Sequence, residues 1–491
     1  MTNAGLLVAV LVVPLLAALL SLVLKPRWLY GVAAIFEAAT LGIALTLITL
    51  AVQGPALDCF GHWLYLDGLS GVVLLVVAVV SSLASIYSIG YLRHELREGA
   101  VRADELRKYF VVLHLFVFTM IAVTVSGNLG MLWTAISATT LASAPLVDFY
   151  GSHQSLEAAW KFIVLTVTGS LVALFGFLLL YQSGVGALGN SYDFSIPVLA
   201  RAAGHLSPVL AGAAFLLVLV GFGTKAGLAP MHTWLPDAHS QAPSPVCAML
   251  SGAELNCALL GIFRVYTLAA PAAGAAPLRS GLLAFGLLSM AVGVIFLISQ
   301  RDFKRLLAYS SVEQIGLICV GVGIGTPLAL LGALLLIVAH GLTKCLMFFA
   351  TGNLLLRFRT TAISGVRGVV QAMPWTATLL VGGALAIAGA PPFGVFIAEL
   401  SIITGALAGH LWVLAAAVAG LLLVGFIAMV APFHTMTFSR RADSEAVVMG
   451  DLNLLILAPA LALLAVILVI GVWVPGPLED LLHSAASVMG R

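Results

Sequence analysis

The stretch AGLLVAVLVVPLLAALLSLVL, from Ala4 to Leu24, holds no charged residue, and runs of similar length recur to the end of the chain. A helix rises about 1.5 Å per residue, so roughly twenty apolar residues cross the ~30 Å hydrocarbon core of a bilayer. Inside that core each backbone polar group must find a partner within the protein, which leaves helices as the spanning element. With 62% of its residues hydrophobic and only 9% charged, the chain lies far outside the range of soluble domains. An all-α polytopic membrane protein is therefore expected. The first run is too long for the apolar region of a signal peptide and has no basic residue ahead of it, so it reads as a retained span. Fourteen spans are predicted near 4–24, 29–52, 67–91, 109–126, 128–147, 159–182, 208–229, 246–270, 279–299, 303–323, 327–355, 376–397, 410–433 and 452–474. A short tail of about 17 residues would follow.

Charge orients these spans. Of the 22 lysines and arginines, fifteen fall in the connections after spans 1, 3, 9, 11 and 13, from Lys25 and Arg27 through Arg301, Lys304 and Arg305 to Arg440 and Arg441. The opposite side holds four: Arg201, Arg264, Arg279 and Arg491. Basic loops stay in the cytoplasm, so both termini are expected on the non-cytoplasmic side of the inner (plasma) membrane. Three lysines remain, Lys161, Lys225 and Lys344, in or at the edge of spans.

Lys225 stands just before GLAPMHTWLP, and Pro230 removes an amide donor and crowds the carbonyl of Ala226. A non-spanning interruption is predicted over 230–245. A charge at mid-bilayer costs on the order of 3 kcal/mol or more and usually marks an ion or proton pathway. A lysine snorkelling to the interface is the alternative. A second interruption, GAPPFG with Pro391 and Pro392, falls five spans later, in the opposite orientation. Such a pair of broken helices points to inverted repeats around a transport path. The other intramembrane ionisables are Glu37, His114, Glu157, Glu254, Glu313, His340 and Glu399. Glu157 and Lys161 are four residues apart and can pair, and His340 and Lys344 share a helix face. Glu37 and His114 are expected to be single hydrogen-bonded residues in helix interfaces. Asp237 and His239 are expected to cap a short amphipathic helix within the interruption, with a proton role for His239 as the lesser alternative.

The five cysteines show no paired spacing, and no nucleotide-binding, iron–sulfur or haem motif is present. What the chain does carry is KAGLAPMHTWLPDAHSQAPSPVCAMLSG, RDFKRLLAYSSVEQIG, AHGLTKCLMFFATGN and AGAPPFGVFIAEL. Together these resemble the antiporter-like membrane subunits shared by respiratory complex I, Mrp-type sodium/proton antiporters and membrane-bound group 4 hydrogenases, over roughly residues 67–435. PDAHSQAPSPV, SSVEQIG and GAPPFG look most like the F-type subunit of hydrogenase-4 and formate hydrogenlyase complexes. The resemblance implies helices 1–3 over 1–108, one five-helix repeat over 109–270, its inverted partner over 271–435, and a last helix with a short tail over 436–491. It implies a proton relay through Lys225, His340, Lys344 and Glu399, to which the intramembrane positions of Glu254, Glu313 and Lys161 add three further candidates. It further implies nickel–iron, iron–sulfur or flavin cofactors in partner subunits only. Other membrane subunits and a peripheral cytoplasmic redox arm are the expected partners, and nucleic acid is not.

Two positions depart from the family's pattern. Ser137 stands where a glutamate is expected to face Lys225, and Asn256 where many relatives have a lysine. Lys225 would then be neutral, solvated by water at the break, or paired with Glu254. Three functions compete: a proton-translocating subunit of a redox complex, a cation/proton antiporter subunit without redox partners, and a membrane anchor whose relay has decayed.

Overall fold

In the computed structural model, which describes residues 2–440 and 449–490, the chain is a bundle of helices. The basic residues Arg441 and Arg491 of the charge count lie outside the described residues. Helices α1 (Asn3–Val23) and α2 (Pro26–Gln53) lead into a small antiparallel hairpin of β1 (Leu57–Cys59) and β2 (Leu64–Leu66). Then come α3 (Gly68–Arg97), α4 (Ala103–Val125), α5 (Leu129–Val147), α6 (His153–Leu188) and a short α7 (Ile196–Ala202). Helices α8 (Pro208–Ala226) and α9 (Trp234–Gln241) are followed by α10 (Ser244–Met249) and α11 (Leu255–Ala273), which a single π-helical turn, Leu250–Glu254, joins into one span. The second half comprises α12 (Ala275–Ser299), α13 (Phe303–Ile324), α14 (Pro327–Phe358), the one-turn α15 (Val369–Ala372), α16 (Pro374–Ile387), α17 (Gly394–Ala408) and α18 (Trp412–Phe438). Helices α19 (Leu454–Val472) and α20 (Gly476–Met489) close the chain.

Among the described residues, thirteen helical stretches are long and apolar enough to cross a membrane, and α16 and α17 are two further apolar half-helices. Counted together, the half-helices give the fourteenth span. Caps fix many of the starts: the side chains of Thr2, Asp67, Asn128, Asp302, Thr326 and Asn453 each accept a backbone N–H of the first turn. Glycines let neighbouring spans approach closely, as small residues do in membrane bundles. A Cβ on Gly221 of α8 would stand 2.5 Å from the backbone of α6, and one on Gly286 of α12 would stand 2.7 Å from the carbonyl of Gly316 on α13. The span Ser244–Ala273 and helix α14 each have an 18-residue stretch that is wholly buried, whereas α1, α2 and α18 turn most of their surface outward.

Both predicted breaks exist; the second interrupts its span as expected, and the first lies inside a span rather than after it. The seventh span runs from Pro208 to Gln241 through the break, so the segment predicted as a non-spanning interruption contains its second half. The twelfth extends to Ala408, eleven residues past its predicted end at 397, because α17 resumes the helix beyond the two prolines. The two breaks have one construction. Helix α8 ends on Gly227, left-handed at φ +82, with the amides of Gly227 and Leu228 donating to Thr224 (3.4 Å) and Gly223 (2.8 Å). Helix α16 ends before Gly389, at φ +75, with the amides of Gly389 and Ala390 donating to Ala386 (3.3 Å) and Leu385 (2.9 Å). This glycine cap ties back the last carbonyls of the helix. The helix therefore stops three residues before Pro230, and Pro230, Pro391 and Pro392 prevent it from resuming at once. The Ala229–Pro230 and Pro391–Pro392 bonds are both cis. The hairpin and α20 are additions to the expected fold. Helix α20 packs on α3, where Gly68 and Gly71 leave room for Ser484 and Leu481.

Candidate proton path

The break at Gly227 aims Lys225, on the last turn of α8, into the bundle, where its side chain is 0% exposed. Its Nζ donates to Glu254 Oε1 at 2.8 Å and, by a shorter contact, to Thr140 Oγ1. Lys225 therefore does not snorkel. Of the three states open to it, the structure shows the pair with Glu254. The pairing rests on the π turn, since the extra residue in that turn sets the direction of Glu254. The carboxylate also accepts from Thr139 (2.8 Å) and Ser143 (3.5 Å), while its Oε2 has no protein partner. Helix α5 thus offers hydroxyls where a second carboxylate was sought, and the residue that faces Lys225 is Thr140, one turn beyond Ser137. Ser137 donates to the carbonyl of Trp133 on its own helix. The carbonyl of Thr224, which the Gly227 amide reaches at 3.4 Å, also accepts the indole N–H of Trp234 at 2.8 Å, so the break is satisfied by protein at that point.

From Glu254 the polar groups continue toward the second half. Ser251 on the π turn shares a 2.7 Å hydrogen bond with Ser311 of α13. The neighbouring Ser310 contacts Lys344 Nζ, which also donates to the carbonyl of Leu307 at 2.6 Å. Lys344 is wholly buried, as is His340 one turn earlier, and neither ring nitrogen of His340 has a protein partner. Asn256 donates to Gly252 at 2.8 Å, close to the level of Gly341 on α14. At the second break, Glu399 on the second turn of α17 accepts from Gln314 at 3.0 Å, and its carboxylate lies against Gly389, where a Cβ would collide with it. Glu313 is 5% exposed and faces Gly425 of α18. Polar groups thus occur in both halves beside the breaks, with the Ser251–Ser311 bond and the bond from the Ala229 amide to Ser289 of α12 (2.9 Å) among the direct contacts between them.

Lys161 is placed elsewhere. It is 47% exposed, pairs with Glu157 at 2.7 Å and reaches Asp237 at 3.0 Å. Asp237 is also held by Arg305 at 2.6 Å. Asp237 therefore does not cap its helix. It ties α9 to α6 and α13 in a polar surface cleft that Asp302 and Thr361 help to line. His239 lies inside α9, with Nδ1 2.8 Å from the carbonyl of Leu235 and Nε2 unpartnered. Glu37 and His114, expected singly, are bonded to each other. Sequence reasoning missed Thr139, Thr140, Ser143, Ser251, Ser310, Ser311 and Gln314. Hydroxyls in apolar helices usually bond their own backbone, so nothing in their spacing separates these from the rest. It also missed the buried clamp in which Arg264 donates to Asp67 at 2.6 and 2.8 Å and to Ser70 at 2.9 Å.

This arrangement belongs to a known class. Residues 126–425 match the family described as NADH:quinone oxidoreductase/Mrp antiporter, TM, and residues 61–110 match the complex I chain 5 N-terminus. The chain is a member of that family of antiporter-like membrane subunits, and it is a multi-pass membrane protein. It is 35% identical to the hydrogenase-4 component F homolog of Methylacidiphilum infernorum (isolate V4) over 389 residues, covering 79% of this chain and 82% of that one. Its fold superposes on a chain of the membrane-bound sulfane sulfur reductase, an archaeal respiratory membrane complex, with a TM-score of 0.87 and 25% identity, covering 100% and 98% of the two chains. A chain of the Mrp complex from Dietzia sp. DQ12-45-1b gives the same TM-score and coverage at 22% identity, a likeness of fold alone.

Proposed function

We propose that this chain is the proton-translocating, antiporter-like membrane subunit of a respiratory oxidoreductase complex of the hydrogenase-4 type, coupling redox chemistry in partner subunits to proton movement. The observation that carries the reading is the Lys225–Glu254 pair, fully enclosed and set at a helix break. Burying two charges costs several kcal/mol each before their attraction is counted, and apolar residues of similar volume would avoid the cost. A functional use accounts for keeping them. A proton on Lys225 is exchanged as the pair opens and closes. Ser251, Ser311 and Ser310 carry the connection to Lys344, and His340, Glu313 and Glu399 continue it to the second break. Lys161, Asp237 and Arg305 sit at the surface end of α9, where a partner could bias the break. The retained pair favours this reading over a decayed anchor. The likeness to the Mrp fold sustains one alternative, cation/proton exchange, which sodium dependence of proton movement would reveal.

Redox cofactors would then reside in partner subunits, which include other membrane subunits and a peripheral cytoplasmic arm. Extraction of the tagged chain in mild detergent should bring both down together, and a stable chain recovered alone contradicts the proposal. The charge asymmetry supports a topology with both termini on the non-cytoplasmic side of the plasma membrane. Terminal reporter fusions should be active only in the exported compartment, and activity inside the cell at both ends overturns that topology.

A further inference from the structure

Outside the two broken spans, α2 and α4 bury a second ionisable pair. His114 Nδ1 lies 3.1 Å from Glu37 Oε1, with the two side chains 0% and 1% exposed. Each residue lies eleven positions into its helix, about 17 Å along the axis, which places the pair near the middle of the membrane. The outer atoms of the pair, Glu37 Oε2 and His114 Nε2, have no protein partner. Ser82 of α3 donates to the backbone carbonyl of Glu37 at 3.1 Å, and Ser88 of α3 bonds the hydroxyl of Tyr109 on α4 at 2.8 Å. Helical residues turn about 100° per position, so Ser81 and Ser85 point between Ser82 and Ser88, into the crevice that α3 shares with α2 and α4. Both hydroxyls are buried and likewise unpartnered. Four unpartnered polar atoms in one membrane-depth crevice mark a place where water is the remaining partner, since buried polar groups almost always have one.

The other elements around the pair bring little charge. Helices α1 and α5 contain no titratable residue. Helix α3 carries Arg93, His94, Glu95 and Arg97 two turns or more beyond Ser85, toward the arginine-rich side, and Arg93 stands 4.4 Å over the ring of Tyr30 on α2. The tyrosines of α3 turn away, Tyr87 to Asn353 and Tyr91 to Tyr150. Helix α11 offers Cys257, 4.0 Å from the carbonyl of Met120, and Arg264, already committed to Asp67. Helix α20 meets α2 at the other end, around Ile48 and Val52.

We propose that Glu37 and His114 form a second proton-holding site, separate from the broken-helix file, which exchanges one proton with the arginine-rich side along the serine-lined crevice of α3. Loaded, the pair is neutral overall, with the proton on the Glu37 carboxyl group beside a neutral imidazole. Emptied, it is a carboxylate beside a neutral imidazole, with net charge −1. Among the described residues no cation is paired with Glu37 to balance that state, so emptying is tied to arrival of a positive charge or a second proton.

Infrared difference spectra, acid minus alkaline, of the purified intact complex in H₂O and D₂O test this. The wild type should show a deuterium-sensitive carboxylic-acid carbonyl band that Glu37→Gln removes and Lys225→Met leaves in place. His114→Gln should shift the frequency of that band, because it removes the imidazole bonded to the carboxyl group. A Glu37→Gln spectrum identical to wild type overturns the proposal. Should Glu37→Gln not assemble, an unshifted band in His114→Gln overturns it equally.

Discussion

Replacing Glu254 by glutamine removes the one carboxylate that pairs with Lys225 among the described residues and leaves the lysine in a site that is 0% exposed, with Thr140 as its remaining side-chain hydrogen-bond partner. Breaking a buried pair by one partner typically costs about 3–5 kcal/mol, because an uncompensated charge stays behind. That is roughly two to four decades in the folded-to-unfolded ratio if the lysine keeps its proton, and less if it gives the proton up. Removing both charges is different, since a well-packed apolar pair of similar volume is often neutral or stabilising. The double variant Lys225→Met/Glu254→Met should therefore be more stable than Glu254→Gln alone, and the cycle of single and double variants should show strong coupling. Thermal denaturation of the detergent-solubilised complex measures this, with subunit composition checked in each preparation. If the double variant loses the sum of the single losses, the two residues are not coupled, and the pairing argument is wrong.

Two further predictions use other parts of the bundle. Gly389→Ala places a side chain at φ +75 and drives its Cβ onto the Glu399 carboxylate. The backbone term alone costs about 1–2 kcal/mol, and proton movement should fall with thermal stability, whereas Gly186→Ala, with open space around its Cβ, should change neither. Asp67→Asn leaves the Arg264 guanidinium buried without an anion and should cost about 3–5 kcal/mol in denaturation of the complex, a loss that Asp67→Glu should partly restore.

How far the sequence reaches can be seen at particular residues. Span number follows from apolar run length, because the bilayer sets that length from outside. The breaks were legible because Gly and Pro act on the backbone locally: Gly227 and Gly389 end their helices, and Pro230, Pro391 and Pro392 delay the next turn. Where the second half-helix resumes was not legible, since tertiary packing decides it; hence the misplaced end of the twelfth span. The partner of Lys225 shows a finer limit. Glu254 reaches it through a π turn, which inserts one residue and rotates everything after it, and no residue type between Leu250 and Glu254 announces the insertion. One turn of helix separates Ser137 from Thr140, and an apolar helix without charged landmarks gives no means of choosing between them. Glu37 and His114 are 77 positions apart, so only the packing of α2 against α4 brings them together. The hairpin and α20 are too short, and too dependent on α3, to stand out from the loops beside them.

The central claim is that buried ionisable groups beside the helix breaks move protons when the partners turn over. The most direct measurement is the ratio of protons moved to electrons transferred by the assembled complex in sealed vesicles, comparing wild type with Lys225→Met. Methionine fills similar space and leaves Glu254 free to take up a proton in place of the lost pair, so in complexes that assemble electron transfer should persist while the ratio falls. An unchanged ratio in a fully assembled Lys225→Met complex contradicts the account and leaves this chain a scaffold.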